Sequence, residues 1–425
     1  MLVVEVLVMM MKVIVVMVMV ELRGSIRVHC RIRPLLPFDS SFDDPGQPHS
    51  SVSGTVVHAV DDETLWVKCS RPGHPPVDKT YSFERVYGPA EGQDAVFEDV
   101  RPLLMSLLDG YNVCVMAHGQ TGSGKSHTML GPSPAVGAAP PAGARRDLGV
   151  IPQAAEELFR LLSENPPRKP AAEVSIVEVY NNEVFDLLTR DKAPASRTQR
   201  EGKALVGATR QMVHSAAEFM SLVAGSLHLR VRHPTLVHAD SSRSHLIITV
   251  TLPVATSPGS SGHPPDHPPG YVPTCPSPRP LVREKQRAVS PVFPPGLGFG
   301  GPSALLEQAC TQLQFVDLAG SECAGVSGVT GPALREASCI NRSLAALGDV
   351  LGALWEHRGH IPYRNSRLTH LLKDGIGGDA KLLLVLCVSP CPEHLVSTLQ
   401  TLSFGARARQ VQWGSAGSRG PRKPT

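Results

Sequence analysis

The sequence predicts an α/β fold, a central and mostly β sheet with helices on both faces. Three observations predict it. Short, continuously apolar runs recur along the chain, as strands buried on both faces require. Segments with helical periodicity lie between them, the arrangement that layers helices on a sheet. One of the runs, Asn112 to Ala117, leads directly into the glycine-rich octapeptide GQTGSGKS.

In chain order the strand-like runs are IRVHCRI, TLWVKC, NVCVMA, VSIVEVY, HLIITVTL, LQFVDLA and KLLLVLCV. Helices are expected at Phe97 to Leu108, Ala154 to Leu162 and Ala216 to Leu227. With 425 residues and 42% hydrophobic content, the chain can bury a large core. The net charge of +3 is nearly balanced, which excludes a wholly electrostatic nucleic-acid binder. Nine cysteines, spread from Cys30 to Cys391 without a C-x-x-C pair, make neither a disulfide framework nor a zinc site. They read as free thiols in a reducing compartment, with a cytoplasmic location as the expectation.

The ends and two internal stretches depart from this pattern. Residues 1–20, MLVVEVLVMMMKVIVVMVMV, form a low-complexity Val/Met segment. Glu5 and Lys12 interrupt it, whereas a spanning helix needs roughly 20 apolar residues with few or no charges. No small-residue cleavage site of a signal peptide follows, so a membrane association is not expected. Pro132 to Arg146 is a Pro/Ala/Gly loop, and Pro253 to Ser303 is a long Pro/Gly/Ser/His segment. Both read as insertions, and Pro253 to Ser303 cannot bury enough apolar surface to order itself. The second extends a hairpin between HLIITVTL and LQFVDLA and reads as a disordered insertion at 253–303. Ser-Pro pairs at Ser257, Ser277 and Ser290 make a modification site the second reading. Residues 414–425 read as a flexible basic tail.

The octapeptide is the strongest local signal. Gly119, Gly122 and Gly124 let the backbone turn tightly so that its N–H groups point at phosphate oxygens, and a following helix adds about half a positive charge. Lys125 is placed to reach the β- and γ-phosphates, and the Ser126 hydroxyl to ligate Mg²⁺. A glycine-rich turn with an incidental lysine would not also have a strand before it and a helix after it. No N-K-x-D tetrapeptide follows, which favours ATP over GTP. Downstream, DLAGSE puts Asp317 at a strand end, where an acid can hold Mg²⁺ through water, and Gly320 where an N–H can meet the γ-phosphate. SSRSH, Ser241 to His245, opens another strand with hydroxyls, a guanidinium and an imidazole. Each is weak alone, but in this order after the phosphate loop they reinforce one another.

With these motifs the chain resembles the kinesin motor family from about Glu21 to Trp413. The matching segments are CRIRP, YSFERVYG, AHGQTGSGKSHTM, VEVYNNEVFDLL, SSRSH, DLAGSE, INRSLAALGDVLGAL, IPYRNSRLTHLL and TLSFGARAR. The resemblance implies a microtubule-dependent ATPase of the kinesin-like P-loop fold, on the cytoskeleton, with ATP and Mg²⁺ as cofactors. It implies that Arg31, Arg33 and Pro34 border the adenine with His127 nearby, and that Gly119, Gln120, Thr121, Gly122, Ser123, Gly124, Lys125 and Ser126 hold the phosphates. Ser241 and Ser242 would close over Mg²⁺ and the attacking water, with Ser242 a metal ligand beside Ser126 and, through water, Asp317. Gly320 would sense the γ-phosphate. Arg243 and Glu322 would form an ion pair between the two switches, and Glu322 could relay a proton through water.

The track side is expected around a helix whose Ile340, Leu344, Leu347, Leu351 and Leu354 make one apolar stripe, more core than interface. Beside it Arg358, Arg364 and Arg367 form a cluster suited to an acidic tubulin surface. ELRGSIRVHCRIRP resembles the junction of the C-terminal-motor kinesins, which move toward microtubule minus ends. No sustained heptads are present, so no dimerising coiled coil is expected in this chain. Two departures from the family pattern stand out. His238 occupies a position usually held by Asn, which puts closing of the first switch in doubt. CAGVSGVTGPALREAS lacks the usual basic residues, which predicts weaker attraction to the track. A nucleotide-regulated microtubule binder with a weak or uncoupled ATPase is therefore the alternative reading.

Overall fold

β1, Ile26–Ile32, and β12, Lys381–Val388, coincide with the runs IRVHCRI and KLLLVLCV, and they pair in parallel within the main sheet. In the computed structural model, the described residues are 25–36, 39, 54–69, 77–132, 147–164, 171–189, 208–230, 243–253, 310–322 and 331–409. The remaining strands are β2 (Val57–Ala59), β3 (Thr64–Cys69), β4 (Val77–Ser82), β5 (Arg85–Tyr87), β6 (Val113–His118), β7 (Ala172–Tyr180), β8 (Glu183–Asp186), β9 (Gln211–Val213), β10 (His245–Pro253) and β11 (Cys310–Asp317). The helices are α1 (Gln93–Leu108), α2 (Lys125–Leu130), α3 (Val150–Glu164), α4 (Ala216–Leu227), α5 (Pro332–Trp355), α6 (Arg367–Leu371), α7 (Lys373–Ile376) and α8 (Leu395–Arg409).

The main sheet runs β5-β1-β12-β6-β11-β10-β7-β8, with β9 added to β7. Its β5-to-β11 half is parallel, and its β10, β7, β8 and β9 pairings are antiparallel. TLWVKC, expected among the central strands, instead forms β3 of a separate antiparallel sheet, β2-β3-β4.

Strand alternation divides the core in two. On β6, Val113, Val115 and Ala117 enter one apolar cluster with α1, α3 and α4, while Cys114 and Met116 enter the other with α5 and α8. Both faces of the central strands are therefore covered, which is why their sequences are continuously apolar. The ends of β10 and β11 meet at Pro253 and Cys310. The rest of the expected insertion at 253–303 lies outside the described residues, as do residues 1–20, the tail at 414–425 and most of Pro132 to Arg146. Among the described residues, no helix is long and apolar enough to cross a membrane, and the seven described cysteines are free.

Candidate nucleotide-binding site

β6 is buried along its whole length and delivers the chain to Gly119 at the carboxyl end of the parallel strands, the usual ligand side of such a sheet. Gly119 is required by close approach, since a Cβ there would lie 2.2 Å from the Cys387 carbonyl oxygen of neighbouring β12. The loop is then braced internally. Ser123 donates from its amide (3.2 Å) and its hydroxyl (2.7 Å) to the Gln120 carbonyl, which also accepts from Lys125 Nζ at 2.8 Å. Burial pushes the Lys125 ammonium below its usual pKa range, opposed by the charges of Asp317 and Glu322. The following helix, α2, has six residues, so the positive charge here rests chiefly on Lys125.

β11 ends beside β6 and brings Asp317 to the loop. Ser126 Oγ donates to Asp317 Oδ2 at 2.7 Å, and Arg230 Nη1 donates to the same oxygen at 3.2 Å. Asp317 Oδ1 is buried and has no partner among the described residues. A buried carboxylate oxygen without a donor is costly, and here it sits beside a hydroxyl and a lysine that suit a phosphate-bound cation. The donors therefore fit a hydrated Mg²⁺, which usually takes one or two carboxylate-side contacts and completes its shell with water and phosphate. Among the described residues, no group of three or more His, Cys, Asp or Glu side chains could hold a metal.

After Asp317 the chain turns back over the loop, and Ser321 N–H donates to the Gly119 carbonyl at 3.1 Å. Glu322 accepts from the Thr121 amide at 2.9 Å and the Thr121 hydroxyl at 2.7 Å. Gly320 is pressed between those groups, and a Cβ on it would lie 2.1 Å from Glu322 Oε2 and 2.3 Å from Thr121 Oγ1. Burial raises the Glu322 pKa, but Lys125 and the Thr121 bonds outweigh it and hold the carboxyl below its ordinary range.

The expected ion pair between Arg243 and Glu322 is not the contact formed in the structure. Arg243 Nη1 meets Glu336 Oε2 of α5 at 2.6 Å, while the two Glu322 oxygens accept from Thr121. Ser241, Ser242 and His238 lie outside the described residues. The arginines expected at the adenine turn inward. Arg31 Nη1 donates to Gln93 Oε1 and Thr128 Oγ1, both at 2.8 Å, and Arg33 forms a two-bonded pair with Asp39 at 2.6 and 2.8 Å. Pro34 and His127 stay exposed, and Gln93 joins Arg31 to His127 with bonds from its amide nitrogen to the His127 ring (3.1 Å) and carbonyl (2.6 Å).

Three further residues belong to the site. Arg230, Glu178 and Ser244 are buried, and Ser244 donates to Glu178 Oε1 while its carbonyl accepts from Arg230 Nη2 at 2.8 Å. Arg230 thus joins the start of β10 to Asp317. On the track side, Ile340, Leu344, Leu347 and Leu351 are buried and Leu354 is half-buried, so the stripe on α5 is core. Arg358, Arg364 and Arg367 are exposed, and Arg358 pairs with Glu356 at 2.5 Å. Ser366 caps α6 in a reciprocal pair with Thr369, which fixes Arg367 at the first helical position.

Comparison with known proteins bears on this geometry. A model of the kinesin motor domain matches residues 47–264 and 300–411. Kinesin-like protein KIF25 of Macaca fascicularis is 61% identical over 414 residues, covering 95% of this chain and 70% of that protein. Kinesin-like protein KIN-14A of Oryza sativa subsp. japonica is 34% identical over 396 residues, 93% of this chain but 34% of the plant protein. A solved structure of a KIF14 dimer in a two-heads-bound state, with AMP-PNP in complex with a microtubule, superposes with a TM-score of 0.67. It is 25% identical and covers 91% of this chain and 94% of its own.

Proposed function

Because this chain belongs to the kinesin motor domain family, and is as such a nucleotide-binding, microtubule-stimulated ATPase, we propose that it hydrolyses Mg²⁺-ATP to move along microtubules toward their minus ends. The observation that carries the reading is the double contact between the phosphate loop and the turn behind it, Ser126 with Asp317 and Thr121 with Glu322. Phosphoryl transfer is mostly positioning and charge neutralisation, and this contact lets one turn respond to the γ-phosphate.

The loop amides and Lys125 hold the phosphates. Ser126 and the Oδ1 of Asp317 would hold the cation and its water, and Mg²⁺ would supply neutralisation of phosphate charge. Ser241 and Ser242 are assigned by the family resemblance to Mg²⁺ and the attacking water. Gly320 offers its N–H to the γ-phosphate, and Glu322, kept ionised by its surroundings, accepts the water's proton through a second water. Pro34 and His127 border the adenine, with Arg31 and Arg33 holding that wall from behind. Arg364 and Arg367 face the acidic surface of tubulin.

The minus-end direction rests on the resemblance of ELRGSIRVHCRIRP to the C-terminal-motor junction, and the likeness to KIF25 and KIN-14A supports it. We read 21–413 as the motor domain, 253–303 as a spacer within it, and the cytoplasm as its location. The test is phosphate release by the full chain with and without microtubules, paired with gliding of polarity-marked microtubules. Stimulated release with minus-end motion is expected, and plus-end gliding would refute the direction. His238 motivates a second reading, tubulin binding with uncoupled turnover. Stimulation that rises several-fold in His238→Asn, from a near-basal wild type, would favour it.

A further inference from the structure

His245 closes the SSRSH sequence and opens β10, yet no part in nucleotide binding or phosphoryl transfer falls to it. Its ring is buried where β10, the turn after β11 and α5 meet. Nδ1 accepts the backbone N–H of Ala319 at 3.1 Å, one residue before Gly320. A neutral imidazole that accepts at Nδ1 carries its proton on Nε2, so Nε2 donates to Ser343 Oγ of α5 at 2.7 Å. That hydroxyl donates onward to the Ile340 carbonyl at 2.7 Å. Burial, and after it the charges of Arg230 and Lys125, lower the ring's pKa to about 3, so the ring stays neutral throughout the working range.

The result is an unbroken hydrogen-bonded path from the γ-phosphate turn into the long helix on the track side. One imidazole makes both bonds, so a displacement of the Ala319 N–H and the geometry of the bond to Ser343 are linked through a single ring. A second tie, Arg243 to Glu336, enters the same helix about two turns earlier. A buried histidine with both nitrogens paired could serve packing alone, and the two roles differ in what they do to microtubule stimulation.

We propose that His245 is a positioning residue that couples the backbone at Ala319 and Gly320 to α5 through Ser343, so that microtubule engagement and turnover respond to each other. The proposal rests on the motor reading above. The test measures basal and microtubule-stimulated ATPase of the full chain as wild type, Ser343→Ala, Ser343→Thr, His245→Asn and the Ser343→Ala/His245→Asn double variant. Asn keeps an acceptor for Ala319 but cannot reach Ser343. Ser343→Ala and His245→Asn should each lower the stimulated rate about five-fold, the loss expected from one buried hydrogen bond, with basal rate and KM for ATP within about twofold. The double variant should be no slower than either single one, and Ser343→Thr, which keeps the hydroxyl, should restore stimulation. Unchanged stimulation in Ser343→Ala, or a basal rate that falls in proportion, overturns the proposal. An unstimulated wild type would instead overturn the motor reading itself, and the coupling with it.

Discussion

Thr121 gives both its amide and its hydroxyl to Glu322, across 201 positions of sequence, and so ties the phosphate loop to the turn that follows β11. The pair also sets the protonation of Glu322. Hydrogen bonds to the ionised form stabilise it, so removing one should raise the carboxyl's pKa. Thr121→Val keeps the shape and the amide bond but loses the hydroxyl. Glu322 must be ionised to accept a proton, so the acidic limb of the pH–kcat profile should move upward. A limb that stays in place would show that Glu322 is not the group titrating. Glu322→Ala, in contrast, should lower kcat by about 100-fold or more while nucleotide affinity changes little.

Asp317 presents one oxygen to Ser126 and Arg230 and leaves the other without a partner. If that oxygen serves the cation, Asp317→Asn removes the charge without much change in shape. The Mg²⁺ concentration for half-maximal ATPase should then rise by about 10-fold or more, the usual effect of losing an outer-shell carboxylate. Titration of turnover against Mg²⁺ at saturating nucleotide reads this directly, and binding of nucleotide without Mg²⁺ should be unaffected.

Arg230 is a second buried cation of this region beside Lys125, with Asp317 and Ser244 as partners. Arg230→Met would leave the Asp317 carboxylate buried without it, at a cost of about 3 kcal/mol in unfolding free energy. Denaturant titration should show a lower midpoint with an unchanged slope. Arg230→Met paired with Asp317→Asn should lose less than the sum of the single changes, because the stranded charge is gone.

What was legible in the sequence follows the range of the interactions. GQTGSGKS could be read because its chemistry is local, one loop whose backbone and Lys125 act within a few residues. β1 and β12 could be read because burial on both faces makes a strand continuously apolar. β4 could not, since nearly all of Val77–Ser82 is exposed and carries no pattern. Gln93 was missed because it stands at the start of α1, four residues before the first apolar residue of the expected helix. Arg230 was missed for a different reason. Its partner Asp317 lies 87 positions away, and only the placement of β10 beside β11 brings the two together. The pairing of Arg243 with Glu336 belongs to the same class, since it depends on where α5 packs.

Arg364 and Arg367 are exposed, and among the described residues neither has a carboxylate partner, unlike Arg358 with Glu356. Exposed charges of this kind contribute little to folding, so neutralising them should leave the thermal midpoint in place. They act instead on association with an acidic surface, where each contributes up to roughly 1 kcal/mol and the effect is screened by salt. Arg364→Ala with Arg367→Ala should therefore raise the microtubule concentration for half-maximal ATPase by about 10-fold at low ionic strength, with kcat nearly unchanged. The difference from wild type should shrink as salt is added, because the lost interactions are those that salt already weakens. A fall in kcat at saturating microtubules, with affinity intact, would place these arginines in coupling instead of docking.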